Sequence, residues 1–150
     1  MSQKIIVLLS IVSVTLPSSS AIAGCGTDSK TVFSCQVAKG KIIQVCDAGK
    51  MIEYSFGKAK TPDIVVRVPR NEAPTSQWNG IGRYLSYTID VPNGNTIYSV
   101  FWGSDRVTDE HKIEAGVNVE INNQLAATVK CIDEKSIIQN IEGIDLKPTE

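Results

Sequence analysis

Gly82-Arg83-Tyr84-Leu85-Ser86-Tyr87-Thr88-Ile89-Asp90-Val91-Pro92-Asn93-Gly94-Asn95-Thr96-Ile97-Tyr98-Ser99-Val100-Phe101-Trp102 decides the fold class of this chain. Two runs with an apolar residue at every second position flank a polar turn, and a period of two belongs to strands rather than helices. Asn93-Gly94 is a strong hairpin signal, because both positions of such a turn call for positive φ. With Pro92–Asn95 as the connection, the predicted pairs are Val91 with Thr96, Ile89 with Tyr98, Tyr87 with Val100 and Leu85 with Trp102. Those eight residues share one face. Tyr84, Ser86, Thr88 and Asp90 share the other with Ile97, Ser99 and Phe101, so turn chemistry and hydrophobic pattern agree.

The same reasoning predicts two further hairpins. A loop at Ala48-Gly49 sets Val45 opposite Ile52 and Ile43 opposite Tyr54. A three-residue loop, Asn122-Asn123-Gln124, sets Ile121 opposite Leu125, Val119 opposite Ala127 and Val117 opposite Val129. Asn tolerates the left-handed backbone such a loop needs. Thr31–Ala38 and Asp63–Pro69 add strands through Phe33-x-Cys35-x-Val37 and Ile64-x-Val66-x-Val68. The expectation is an all-β chain of about eight antiparallel strands in a small barrel or sandwich, with 24–150 as one β-barrel domain. In the tail, Ile137, Ile138, Ile141 and Ile144 approximate helical spacing. A short helix, a ninth strand and a frayed end all fit that β-branched segment.

Residues 1–23 read as a signal peptide. Lys4 precedes the uncharged run Ile5–Leu16, a polar Pro-Ser-Ser-Ser follows, and Ala21-Ile22-Ala23 closes it as a small-x-small cleavage site. The apolar run is too short to span a bilayer, and no transmembrane segment is expected in the mature chain. Cleavage after Ala23 gives a soluble periplasmic or secreted protein. Ile22-Ala23-Gly24-Cys25 also resembles a lipobox, which would anchor the chain by a lipid on Cys25. The polar spacer and the odd cysteine count that lipidation would leave favour the soluble form.

Taking Lys4 from the 15 basic residues leaves 14 against 16 acidic ones, with no basic cluster, so nucleic acid is not an expected partner. Cys25, Cys35, Cys46 and Cys131 in an exported chain predict two disulfides. Their spacing holds no Cys-x-x-Cys and His111 is the only histidine, so neither a metal nor another cofactor is expected. Cys35 shares parity with Phe33 and Val37, whereas Cys46 is out of phase with Ile43 and Val45. A Cys35–Cys46 bridge therefore needs a bulge, while Cys131 has the parity of Val129 and could face a core-side partner. Because Cys35–Cys46 closes a short local loop, it is nonetheless the expected pair, together with Cys25–Cys131.

No nucleophile elbow, phosphate loop, HExxH or dinucleotide fingerprint occurs, and the chain is expected not to be an enzyme. Asp105, Asp109, Glu110 and Glu114 could supply a glycosidase acid pair, but a charged turn between strands reads first as a solvated loop. The segment from Arg70 to Tyr84 is long for a hairpin protein and carries the residue types of binding hot spots. Arg70, Ser76, Trp78, Asn79, Arg83 and Tyr84 are the candidate partner-binding residues. The competing expectation is that Trp78 folds back as a plug.

The signal peptide, an early strand-borne cysteine, Tyr54-Ser55-Phe56-Gly57 ending an early strand, and a near-C-terminal cysteine together resemble the small periplasmic lysozyme inhibitors of Gram-negative bacteria. That resemblance implies a disulfide-linked β-barrel in the periplasm whose partner is a peptidoglycan hydrolase. The inhibitors' Ser-Gly-x-x-Tyr loop has no counterpart here, so no inhibitory residue carries over. The expected function is inhibition of a cell-wall hydrolase, or immunity to one, by binding. The alternative is an envelope-associated structural or small-ligand-binding barrel.

Overall fold

A computed structural model describes residues 24–149, so the segment read as a signal peptide lies outside the described residues. The strands are β1 (Lys30–Val37), β2 (Lys41–Asp47), β3 (Met51–Lys58), β4 (Thr61–Pro69), β5 (Thr75–Ser76), β6 (Tyr84–Asn93), β7 (Thr96–Asp105), β8 (Ile113–Ile121), β9 (Gln124–Lys130) and β10 (Ile138–Gln139). Eight are long, and β5 and β10 are two-residue additions. They form two antiparallel sheets, ordered β10-β1-β2-β3-β4 and β5-β6-β7-β8-β9. Among the described residues no strand is shared between them, so no closed barrel forms, and the two facing sheets fit the expected small barrel or sandwich.

The central hairpin has the predicted faces and a different register. Asn93 pairs with Thr96, Val91 with Tyr98, Ile89 with Val100 and Tyr87 with Trp102, two residues away from the predicted pairing. Positive φ falls on Gly94 at 62° and not on Asn93 or Asn95, so the turn is the two-residue Gly94-Asn95. Glycine at the first central position is the type II′ requirement, and this tighter turn lets Asn93 and Thr96 join the ladder. A slip of two preserves every face, which is why the burial pattern did not expose it. The β2–β3 hairpin slips likewise, with Asp47 opposite Ile52, Val45 opposite Tyr54 and Ile43 opposite Phe56.

In β8–β9 the predicted pairs Val119–Ala127 and Val117–Val129 form. A bulge then sets Ile121 against Gln124 rather than Leu125, leaving Asn122-Asn123 as the turn with φ of 52° and 62°. Two successive left-handed residues make this a type I′ turn, which asparagine accepts better than most residues.

Between the sheets lie Phe33, Ile43, Val45, Ile52 and Tyr54 from the first, and Ile89, Val91, Tyr98, Val100 and Val117 from the second. Tyr54 stacks on Tyr98 across the interface, with ring centroids 4.6 Å apart and planes 19° from parallel. The disulfides are Cys25–Cys46 and Cys35–Cys131, which overturns the expected pairing. Parity decides it. Cys35 is on the core face with Phe33 and meets Cys131 arriving from the second sheet. Cys46 faces outward, where the N-terminal segment supplies Cys25.

The tail is extended, and the only helical part among its described residues is the single 3-10 turn Glu134–Ser136. β10 pairs with β1, Asn140 donates to the carbonyls of Val32 and Thr31, and Ile141 is fully buried. Gln77 donates to the Ile141 carbonyl, Arg70 to the Asp145 carbonyl, and Thr75 pairs with Pro148. β-branched side chains and a left-handed Gly143 at φ 70° disfavour the helix that the isoleucine spacing suggested.

Loop-closure entropy ranks the two disulfides. Cys35–Cys131 spans 96 positions and Cys25–Cys46 spans 21, which corresponds to about 4.7 and about 3.3 kcal/mol of denatured-state restriction. Replacing Cys35 and Cys131 by Ser is therefore expected to lower the urea-unfolding free energy more than replacing Cys25 and Cys46. Equal losses from the two double variants would contradict this ranking.

Candidate functional site

β6 and β7 are ten residues each and run out to the pair Tyr84–Asp105. The segments beyond that pair, 77–83 and 106–112, are thereby brought side by side. Arg83 and Asp105 lock them together. The Arg83 Nε donates to both carboxylate oxygens of Asp105 at 2.9 and 2.8 Å, and Nη2 adds a third bond at 2.5 Å. The Arg106 amide donates to the Arg83 carbonyl at 3.0 Å, and the Val107 amide to Asp105 Oδ1 at 2.9 Å.

A second tie is aromatic. The Arg106 guanidinium lies 4.4 Å from the Trp78 ring centroid, a cation–π contact between the two loops. Trp78 is half-buried against the edge of the core, and its indole N–H donates to the Ile81 carbonyl at 3.0 Å. The Ile81 amide in turn donates to Asn79 Oδ1 at 3.1 Å. Trp78 thus holds its own loop in shape, close to the plug expectation, while leaving Ile81 outside. Ile81 is 78 % exposed and Val107 68 % exposed, one apolar side chain on each tied loop.

Tyr84 lies flat over Gly103. A Cβ at that position would sit 2.5 to 2.7 Å from the phenol ring, so only glycine leaves room for it. The Tyr84 hydroxyl is 3.4 Å from Glu114 Oε2. Burial and the neighbouring Glu114 carboxylate push the Tyr84 hydroxyl above its ordinary pKa. A shallow depression of about 300 Å³ beside it is lined by Tyr84, Asp105, Thr108, Glu110, Lys112 and Glu114.

Of the six candidate residues, the structure brings Trp78, Asn79, Arg83 and Tyr84 to this end of the second sheet. Ser76 is an exposed residue of β5, paired with Thr88 midway along β6. Arg70 is elsewhere, bound to Asp47 and to the Asp145 carbonyl, where it fastens the tail. Arg83 has its Nε and Nη2 committed to Asp105. The sequence reading treated 105–112 as a separate solvated turn and so missed Asp105, Arg106 and Val107. Register alone does not separate the two cases: the expected pairing sets Asp105 opposite Gly82 and the observed one sets it opposite Tyr84, and both leave it one step from Arg83.

Among the described residues no group of three or more His, Cys, Asp or Glu side chains gathers in a metal-binding arrangement. No helix among them is long and apolar enough to cross a membrane. The Cys25 sulfur is bonded to Cys46, so a lipid on Cys25 would leave Cys46 unpaired. Two disulfides fit an oxidising extracellular or periplasmic compartment. The chain matches no family model, no curated protein and no solved structure.

Hydrogen bonds from Arg83, then from the Val107 amide, hold the Asp105 carboxyl down at about 2 against an ordinary 3.8. The folded state binds this proton more weakly than the unfolded chain does. The tie is therefore complete above the ordinary value and is lost as pH falls through about 2. Stepwise acidification monitored by tryptophan fluorescence should change the Trp78 environment only in that lowest range. Asp105→Asn should show the altered signal already at neutral pH. An unaltered signal in that variant would contradict the tie.

Proposed function

We propose that this chain is an exported, periplasmic protein-binding module that holds a peptidoglycan hydrolase inactive, as an inhibitor or as immunity to a hydrolase delivered by a neighbour. The observation that carries the reading is the pre-tied loop pair. Ile81 and Val107 stand exposed on segments that Arg83–Asp105 and Trp78–Arg106 already hold in place. Exposed apolar side chains on a fixed frame bind with little ordering cost, and that cost is what usually weakens loop-borne interfaces. Trp, Tyr and Arg around them are the residue types that dominate interface energetics.

Charge supports the same class of partner. Glu110, Lys112 and Glu114 line the depression beside Tyr84, so the tip itself is of mixed charge, and it is the slight acidic excess of the chain after residue 23 that complements a basic hydrolase. Arg83 then acts as a brace for the tip through Asp105. The signal-peptide reading of 1–23 and the resemblance to lysozyme inhibitors point to the same compartment and partner. The alternative of a small ligand held inside the fold has less support, because Phe33, Ile43, Tyr54, Ile89 and Val100 fill the space between the sheets.

The test is residual lysis by a panel of peptidoglycan hydrolases in the presence of the disulfide-bonded chain. The reading predicts inhibition of at least one, weakened about tenfold or more by Ile81→Asp or Val107→Asp, whose exposed positions carry little of the fold's stability. Inhibition that persists unchanged in both variants would move the site off the tip. No inhibition and no retention of any hydrolase would remove the reading altogether.

A further inference from the structure

One aromatic ring on the outer face of the second sheet is held open to solvent. Tyr84 points away from the core, and its phenol covers Gly103 on the neighbouring strand. A Cβ at Gly103 would sit 2.5, 2.7 and 2.6 Å from Cε1, Cζ and Oη of Tyr84. A point nearly equidistant from three adjoining atoms at that range lies above the ring plane. The ring therefore turns one face to the sheet and the other outward. Tyr84 is 43 % exposed, and among the described residues no cation or second ring stacks on it.

The wall beside the ring is already formed. The depression of about 300 Å³ next to Tyr84 is bounded by the segment 105–112, which is fastened from within. Ser104 Oγ donates to the His111 carbonyl at 3.0 Å, and the His111 amide donates to the Thr108 carbonyl at 3.1 Å. A ligand entering here has little loop to order.

Charge decides what class of ligand fits. Three acids line the depression, and each has a base near it: Arg83 holds Asp105, Lys130 Nζ is 3.6 Å from Glu114 Oε1, and Lys112 shares the lining with Glu110. An ion of either sign thus finds its like charge as well as its opposite. What remains is an aromatic face beside carboxylate oxygens, the Thr108 hydroxyl and the Lys112 ammonium. A pyranose with equatorial hydroxyls is the complement of such a surface, with C–H groups on its face and hydrogen-bonding groups around its rim. An equatorial β-linkage keeps that face clear, and an acetamido N–H adds a donor for the carboxylates. The volume is at the small end of ligand sites and suits about one or two sugar rings.

We propose that Tyr84 and this depression form a subsite for a neutral, β-linked, N-acetylated glycan. One sugar ring stacks on Tyr84, and its rim donates to Glu110 and Glu114. The site goes beyond the protein partner of the loop tip and does not depend on it. Titration of the disulfide-bonded chain with chitotriose, followed by NMR, should shift 84, 103 and 108–114 together. It should saturate with a dissociation constant on the order of 1 mM, as a shallow site allows. Tyr84→Ala should weaken binding about tenfold, and Tyr84→Phe, which keeps the face, by no more than about threefold. Gly103→Ala retains the tyrosine but lifts its ring, and should weaken binding as Tyr84→Ala does. The urea midpoint of each variant separates loss of the site from loss of the fold. Maltotriose, with its α-linkages, should bind more weakly than chitotriose, and glucosamine, a charged amine, no more tightly than N-acetylglucosamine. No saturable shift, or shifts away from Tyr84, would overturn the proposal. So would binding that a folded Tyr84→Ala variant retains, or a preference for glucosamine or maltotriose.

Discussion

The two sheets exchange no strand, and every other feature of the fold follows from how that gap is bridged. In a closed barrel, hydrogen bonds run all the way round. Here the ladder stops at β4 and begins again at β5. What holds one sheet to the other is the face between them, with Phe33, Ile43 and Tyr54 packed against Ile89, Tyr98 and Val100. Burial, with Tyr98 beside it, pushes the Tyr54 hydroxyl above its ordinary pKa, as expected where the two sheets exclude water most completely. The Cys35–Cys131 bond crosses the same face covalently. The tail bridges it a third time, bonded to β1 at Asn140, to Gln77 at Ile141 and to β5 at Thr149. Each sheet alone is a meander of neighbouring hairpins with one apolar face that has no other place to be buried.

That division of labour frees the far end of β6 and β7. Their middle residues, Tyr87 to Val91 and Tyr98 to Val100, are committed to the core. Beyond them the hairpin runs out over Gly103 and Tyr84 into partly solvated surface, where the apolar packing of the two loops is limited to Trp78 at the edge of the core. Polar and aromatic contacts fix the two loops. A bidentate arginine–carboxylate pair has a planar geometry that fixes orientation as well as distance, which a lysine at position 83 would not reproduce. The loops are therefore shaped before any partner arrives.

Much of this was legible in the sequence because strand faces depend only on parity. Phe33, Ile43, Tyr54, Ile89 and Val100 are where their alternation put them. Register was less legible, since turns of two and four residues give the same faces and differ only in which residues meet. The site was hidden for another reason: either register leaves Asp105 one step from Arg83, but the charged composition of 105–112 by itself reads as a solvated turn. The disulfides show the converse. Parity already set Cys35 and Cys131 on the core side and Cys46 outside, and the preference for a short loop pointed the other way. Covalent geometry follows side-chain direction, and loop length decides only how much a bridge stabilises. The tail was illegible for a third reason: its isoleucines contact two sheets that are distant in sequence, and no local periodicity encodes that.

Hydrogen exchange tests the central claim, that recognition belongs to the tied loops, most directly. Amide exchange of the chain would be compared free and in complex with a peptidoglycan hydrolase it retains. The account predicts slowed exchange confined to 77–84 and 105–112, with β1 to β4 unchanged. Slowed exchange along β4 or the tail, with those two loops exchanging as in the free chain, would contradict it.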